Sequence, residues 1–172
     1  MDDNNKHLRL MKLLGTCFGL GDFPYAPGTV GTLGGIPIFL LLNWLRRFFP
    51  NMLVYYSFYF VFLMTFFMVA VYVSGYCEEI IYKTEDPGCV VIDEVLGYLT
   101  TLFFITPVGG RELLMALAAA FVIFRILDIT KPGPVNKSQA FPNGIGIVLD
   151  DFLAGIIGNF ILVCAWTLLK LI

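Results

Sequence analysis

Residues 51–77 read NMLVYYSFYFVFLMTFFMVAVYVSGYC and contain no charged side chain. About 20 consecutive apolar residues suffice for a helix to cross the hydrocarbon of a bilayer, so this stretch predicts a transmembrane span. Its tyrosines, Tyr55, Tyr56, Tyr59, Tyr72 and Tyr76, lie toward the two ends, where an aromatic belt would meet the headgroups. The rest of the chain agrees. Of 172 residues 58% are hydrophobic and 14% charged, and the mean hydropathy is +0.82, which together point to lipid rather than water as the solvent.

Moving outward, Val30 to Leu45 is free of charge up to Arg46 and Arg47, and predicts a shorter first span. Phe152 to Leu169 is a third uncharged run, with Lys170 placed to snorkel at its far end. Between them, Gly88 to Val108 and Leu113 to Leu127 predict a helical hairpin around Gly109, Gly110, Arg111 and Glu112. The expected architecture is an all-α integral membrane bundle of about five apolar helices, forming one domain over residues 1–172. Met1 to Lys12 carries charges of both signs and runs into a Gly/Pro-rich stretch, so no cleaved signal peptide is expected.

This topology puts residues 1–29, 78–89 and 128–151 on one face. That face holds seven basic residues, Lys6, Arg9, Lys12, Lys83, Arg125, Lys131 and Lys137, against Arg46, Arg47, Arg111 and Lys170 on the other, so it is expected to be cytoplasmic. Every Asp and Glu except Glu112 falls on the same face. Acids contribute little to orientation, so their gathering calls for another cause.

Three motifs lie there. GTCFGLGDFPYAPGTVGT, residues 15–32, is dense in glycine and proline and leads into an apolar helix; its backbone could approach an anion closely, and Thr29 and Thr32 could donate hydroxyls. A plain helix entry, with Pro27 in a turn and Thr29 as N-cap, accounts for it equally well. DPGCVVIDEVLG, residues 86–97, sets Asp93 and Glu94 one turn into an apolar helix, where acids face a polar cavity, bind a cation or pair, with Arg125 as the candidate partner; Gly97 would leave room beside them. In FRILDITKPGPVNKSQAFPNGIGIVLDDFLAG, residues 124–155, Arg125 and Asp128 share a helix face, Pro132 ends that helix after Lys131, and Asp150 and Asp151 open the last apolar run, where one of them alone would serve as an N-cap. Five acids on one face are hard oxygen ligands of the kind Mg²⁺ takes together with water and substrate phosphate.

Several classes are excluded. A net charge of −2 offers no basic field for nucleic acid. Cys17, Cys77, Cys89 and Cys164 lack metal-ligand spacing, and His7 is the single histidine, so neither a zinc site nor a histidine phosphatase is expected. No cysteine is followed by Arg at the spacing of a cysteine-phosphatase loop. The D-x-D-x-[TV] nucleophile, a P-loop and the signature of the CDP-alcohol phosphotransferases are missing as well.

Taken in order, APGTVGT, DPGCVVIDEVLG, FRILDITKPGP and GIGIVLDDFLAG resemble the phosphatidylglycerophosphatase A family, from about Gly15 to Gly158. Gly133 departs from the bulky aromatic common between the prolines, and Asn143-Gly144 from a common Gly-Gly; neither touches a charged position. The resemblance implies an all-helical bacterial inner-membrane enzyme that hydrolyses the terminal phosphomonoester of phosphatidylglycerophosphate with Mg²⁺, facing the cytoplasm. Asp93, Glu94, Asp150 and Asp151 are then the expected metal ligands or water-orienting groups, and Glu94, Asp128 and Asp150 the expected catalytic set, with Asp128 as base or ligand. Arg125, Lys131, Thr29 and Thr32 are the expected phosphate-binding residues. The competing readings are another lipid phosphomonoesterase and a membrane cation transporter using the same acids.

Overall fold

A computed structural model describes residues 3–142 and 144–171, without the side chains of 3, 4, 170 and 171, so Asn143 and the snorkelling expected of Lys170 lie outside the described residues. The elements are α1 (Asp3–Gly15), α2 (Pro27–Leu33), α3 (Gly35–Leu45), α4 (Met52–Tyr76), α5 (Ile92–Thr101), α6 (Gly110–Thr130), α7 (Pro134–Ser138) and α8 (Gly144–Leu171). Short 3₁₀ turns at Leu20–Asp22 and Arg46–Phe48 and a π-helical turn at Cys77–Tyr82 complete the chain.

Among the described residues, Pro27–Phe48, Met52–Tyr82, Gly110–Thr130 and Gly144–Leu169 are long and apolar enough to cross a membrane. Their outward faces are greasy: Phe60 and Val61 on α4, Leu114 and Val122 on α6 and Phe160 and Leu168 on α8 are all exposed. Such a surface is stable against lipid and not against water. The long α4 starts where Asn51 accepts a hydrogen bond from the Val54 N–H at 3.0 Å, an ordinary N-cap.

The passage expected as a full helix from Gly88 to Val108 is the exception. Its helix α5 has only 10 residues, about 15 Å of rise, half of a hydrocarbon layer. Every residue of α5 but Glu94 is buried, inside a ring of α2, α3, α4, α6 and α8. Beyond Thr101 the chain continues without regular helix to Gly109, and Thr106 C=O accepts from Arg46 Nη1 at 3.3 Å at the end of the bundle where α3 turns into α4.

A helix that stops inside a bundle exposes carbonyls that must find donors. Here they do. Leu99 C=O accepts from Tyr59 Oη at 3.0 Å, Thr101 C=O from Asn159 Nδ2 at 3.0 Å, Phe103 C=O from the same amide, and Phe104 C=O from Tyr56 Oη at 3.5 Å. The Leu102 and Phe103 N–H groups serve Tyr98 and Thr100 C=O.

Glycines set the closest approaches. A Cβ on Gly144 would strike the α4 backbone at Val71 and Gly75, and one on Gly155 would press on Gly97 C=O and on Thr100. Thus α8 lies in direct backbone contact with both α4 and α5.

Candidate active site

The ends of α1, α4 and α6 and the starts of α2, α5 and α8 meet at one end of the bundle, as the spacing of the charge-free runs predicts. The Val91 N–H donates to Gly15 C=O at 2.8 Å, tying the loop before α5 to the end of α1. Gly21 rests against Cys89 C=O with no room for a side chain.

Within this end lies a cavity of about 130 Å³ lined by six carboxylates, those of Asp86, Asp93, Glu94, Asp128, Asp150 and Asp151, together with Lys131. Asp93 and Glu94 occupy the first turn of α5, where the helix dipole favours negative charge. Asp150 and Asp151 come from α8, which starts at Gly144; the pair therefore sits nearly two turns inside the helix and not at its cap. Neither acid caps the helix because both are needed inward, where they are only 3% and 4% exposed.

The cations enter from α6. Lys131 is its C-cap, in the left-handed region at φ 42°, and Pro132 follows; this turn swings the Lys131 ammonium onto Asp150 Oδ2 as a salt bridge. Gln139 Nε2, beyond α7, donates to the same oxygen at 3.0 Å. Burial alone would lower the Lys131 pKa, but Asp150, with Asp151 and Asp128 behind it, holds it above its ordinary value, so the ammonium stays charged. Arg125 stands one step behind the cavity, its Nη1 donating to Asp128 Oδ2 at 2.6 Å and to Glu94 Oε1 at 3.4 Å. The pairing of Glu94 with Arg125 and the shared face of Arg125 and Asp128 are both present.

The glycines of the first motif let α2 pack closely on α5. A Cβ on Gly28 would strike the Glu94 carboxylate and one on Gly31 would strike Val91 and the same carboxylate, whereas Gly97 clears Phe124 and the Asp151 backbone. Ala26, at φ 50°, is the N-cap of α2 with Pro27 first in the helix, so Thr29 lies inside the first turn and is not the cap. Thr32 is fully buried and donates back to Gly28 C=O at 2.8 Å. Neither threonine lines the acidic cavity.

Two groups that line or brace the cavity escaped sequence reasoning as site residues. Asp86 belongs to the second motif, in a turn at φ 44°, and reads there as a turn residue. Gln139 carries no sequence signal, because its reach depends on how α7 folds back.

Cys17 is a poor nucleophile. The Cys17 thiol is pushed up to about 12, chiefly by burial, with Asp93 and Glu94 adding to it.

A sequence profile of the phosphatidylglycerophosphatase A family matches residues 13–166, through all three motifs. The chain belongs to this family. It is similar to the phosphatidylglycerophosphatase A proteins of Escherichia coli (34% identity over 151 residues, 87% of this chain and 80% of the relative) and Haemophilus influenzae (31% over 164 residues, 91% of each). It is also 38% identical, over 88% of its length and 89% of the relative's, to a protein of Bacteroides thetaiotaomicron named as a putative phosphatidylinositol-3-phosphatase. No solved structure matches. Family membership makes the protein a lipid phosphatase, and the cavity just described gathers the acids of the second and third motifs.

Whether the residues suit a divalent cation is a question of chemistry. Six carboxylates against one lysine in the cavity and one arginine behind it leave a large excess of negative charge in a small space. Asp93 Oδ1 and Glu94 Oε2 are buried with no hydrogen-bond partner, which is costly unless something outside the chain satisfies them. Among the described residues no three of these groups stand close enough together to hold a metal ion as they are. The donor set is hard oxygen throughout, the chemistry that suits Mg²⁺, which usually keeps several waters and takes one or two carboxylates.

Proposed function

We propose that the protein removes the terminal phosphate of phosphatidylglycerophosphate, giving phosphatidylglycerol, in a Mg²⁺-dependent hydrolysis at the cytoplasmic face of a bacterial inner membrane, with residues 1–172 acting as one domain. The observation that carries this reading is the six-carboxylate cavity with two unsatisfied buried oxygens and a lysine on its wall. A phosphomonoester dianion would be repelled by that cavity if its acids faced it alone. When bound, Mg²⁺ would supply the compensating charge on the phosphoryl oxygens and lower the pKa of a bound water.

Asp93, Glu94, Asp150 and Asp151 are the residues that would hold the ion. Asp93 and Glu94 would hold it from one wall, each with a buried oxygen that has no hydrogen-bond partner in the protein, and Asp150 is steadied on the other by Lys131 and Gln139. The Lys131 ammonium, at the cavity wall, binds the phosphoryl group. Arg125 holds Glu94 and Asp128 in place and adds positive potential from behind. Asp128, fixed by Arg125, is placed to orient water or to take its proton. Burial of the acids keeps bulk water away from the reacting phosphate, and the cytoplasmic assignment rests on the excess of basic residues at this end.

A cation path would need acids spaced through the bundle, and they meet in one cavity instead. The name of the Bacteroides relative supports a second substrate, a phosphoinositide phosphomonoester. Detergent-purified protein assayed for phosphate release against phosphatidylglycerophosphate, phosphatidylinositol 3-phosphate, phosphatidic acid and glycerol 3-phosphate decides among these. Phosphatidylglycerophosphate should be preferred, with activity abolished by chelation and restored by Mg²⁺. Full activity after exhaustive chelation, or preference for another substrate, refutes the corresponding part of the proposal.

A further inference from the structure

Helices α5 and α8 run in the same direction through the bundle and are locked in register. Asp93, Gly97 and Thr101 follow one another at four-residue intervals along one face of α5, and Asp151, Gly155 and Asn159 do the same along α8. The register joins them in three rungs 58 positions apart. At the cavity end, Asp93 and Asp151 line the same space. In the middle, the two glycines bring the backbones together: a Cβ on Gly97 would lie 2.7 Å from Asp151 C=O, and one on Gly155 would press on Gly97 C=O. At the far end the Asn159 amide donates to Thr101 C=O at 3.0 Å and to Phe103 C=O, closing the broken terminus of α5.

We propose that Asn159 is a positioning residue for the catalytic acids: its grip on the end of α5 sets the height and tilt of that helix, and hence the placement of Asp93 and Glu94 opposite Asp150 and Asp151. This rests on the functional reading given above. The mechanics follow from the spacing. The glycine rung is the closest approach and therefore the pivot, and it lies four residues, about 6 Å, from each of the other two rungs. With equal arms, a shift of Thr101 is returned at Asp93 with nearly the same size and opposite sense. Asn159 is the only side-chain amide in the run Phe152 to Leu169, where a polar group has to be justified by a partner. Replacing it leaves two carbonyls in apolar surroundings, and they will seek other donors by moving α5.

The test compares Asn159→Leu, which keeps the volume and loses both donors, with Asn159→Gln, which keeps an amide. Displacement of catalytic groups by about 1 Å costs on the order of 10- to 100-fold in turnover, so kcat of Asn159→Leu should fall in that range with KM changed by less than about twofold. Asn159→Gln should regain most of the loss. Hydrogen exchange provides a readout that does not depend on activity: in Asn159→Leu, amides at the start of α5, from Asp93 to Leu96, should exchange faster along with those at its end.

Wild-type kcat in Asn159→Leu, or faster exchange confined to residues 102–105, overturns the proposal. So does a loss that Asn159→Gln shares in full. If wild-type protein releases phosphate from no lipid phosphomonoester, the functional reading fails, and the exchange pattern alone then decides whether Asn159 positions α5.

Discussion

Replacing Glu94 by glutamine separates the two roles its position allows, an ion-pair partner of Arg125 and a member of the catalytic carboxylate set. As an ion-pair partner it contributes little. Its contact with Arg125 is 3.4 Å long, while Arg125 retains the shorter bond to Asp128 at 2.6 Å, so the variant leaves no guanidinium stranded. Glutamine keeps the volume between Gly28, Gly31 and Arg125, and the lost charged contact is worth about 1 kcal/mol at that length. Removing one of six mutually repelling carboxylates offsets even that. The melting temperature in detergent should therefore stay level or rise. Turnover should fall by at least ~100-fold, equivalent to about 2.7 kcal/mol of barrier, because the buried Oε2 that has no partner in the protein is lost as an anionic ligand. The assay is phosphate release from phosphatidylglycerophosphate in mixed micelles at saturating Mg²⁺, beside a thermal unfolding scan of the same preparation. A variant with near wild-type turnover and a lowered melting temperature would refute the catalytic assignment and leave Glu94 as a structural partner of Arg125.

Cys17→Ser should keep turnover within about twofold of wild type, since a half-buried thiol pushed up to about 12 supplies almost no thiolate at neutral pH; a large loss would reopen cysteine chemistry. For sidedness, single cysteines at the exposed positions Lys83, Lys137 and Arg111 in a cysteine-free background, labelled from outside intact cells with an impermeant reagent, should give reaction at Arg111 alone. Labelling at Lys137 would put the acidic cavity on the outer face or remove α6 from the membrane.

The spans were legible because the absence of charge is a property of the sequence itself, and so was the convergence of the three motifs, which follows from counting crossings. The length of α5 was not. Apolar composition from Gly88 to Val108 reports burial, and α5 is the most enclosed helix of the bundle; what stops it at Thr101 is the supply of donors from Tyr59, Tyr56 and Asn159, residues 40 to 58 positions away. The start of α8 was misplaced for a related reason. The charges of Asp150 and Asp151 mark the edge of the uncharged run, but α8 begins earlier, at Gly144, whose missing side chain admits the α4 backbone. Thr29 and Thr32 were placed near phosphate by the glycine-rich helix entry around them; in the fold they lie outside the acidic cavity, and the helix starting at Pro27 uses the Thr32 hydroxyl internally. Six of the nine candidate residues line the cavity and Arg125 backs it, since a charge in an apolar chain has few places to go.

The short α5 explains how such a cavity is possible in a bundle this small. A full-length central helix would satisfy its own backbone, but its first turn would lie out at the membrane surface, where acids meet water. The N-terminal turn of the 10-residue helix is enclosed by its neighbours, so that Asp93 is only 5% exposed while still in the part of the helix whose dipole tolerates negative charge. The cost appears at the other terminus as unpaired carbonyls, and it is met by side chains from α4 and α8. Site and break are therefore one device. Stability given up at the far end places the acids at depth, and substitutions around Thr101 should change the chemistry some 12 Å away more than their distance from the cavity suggests.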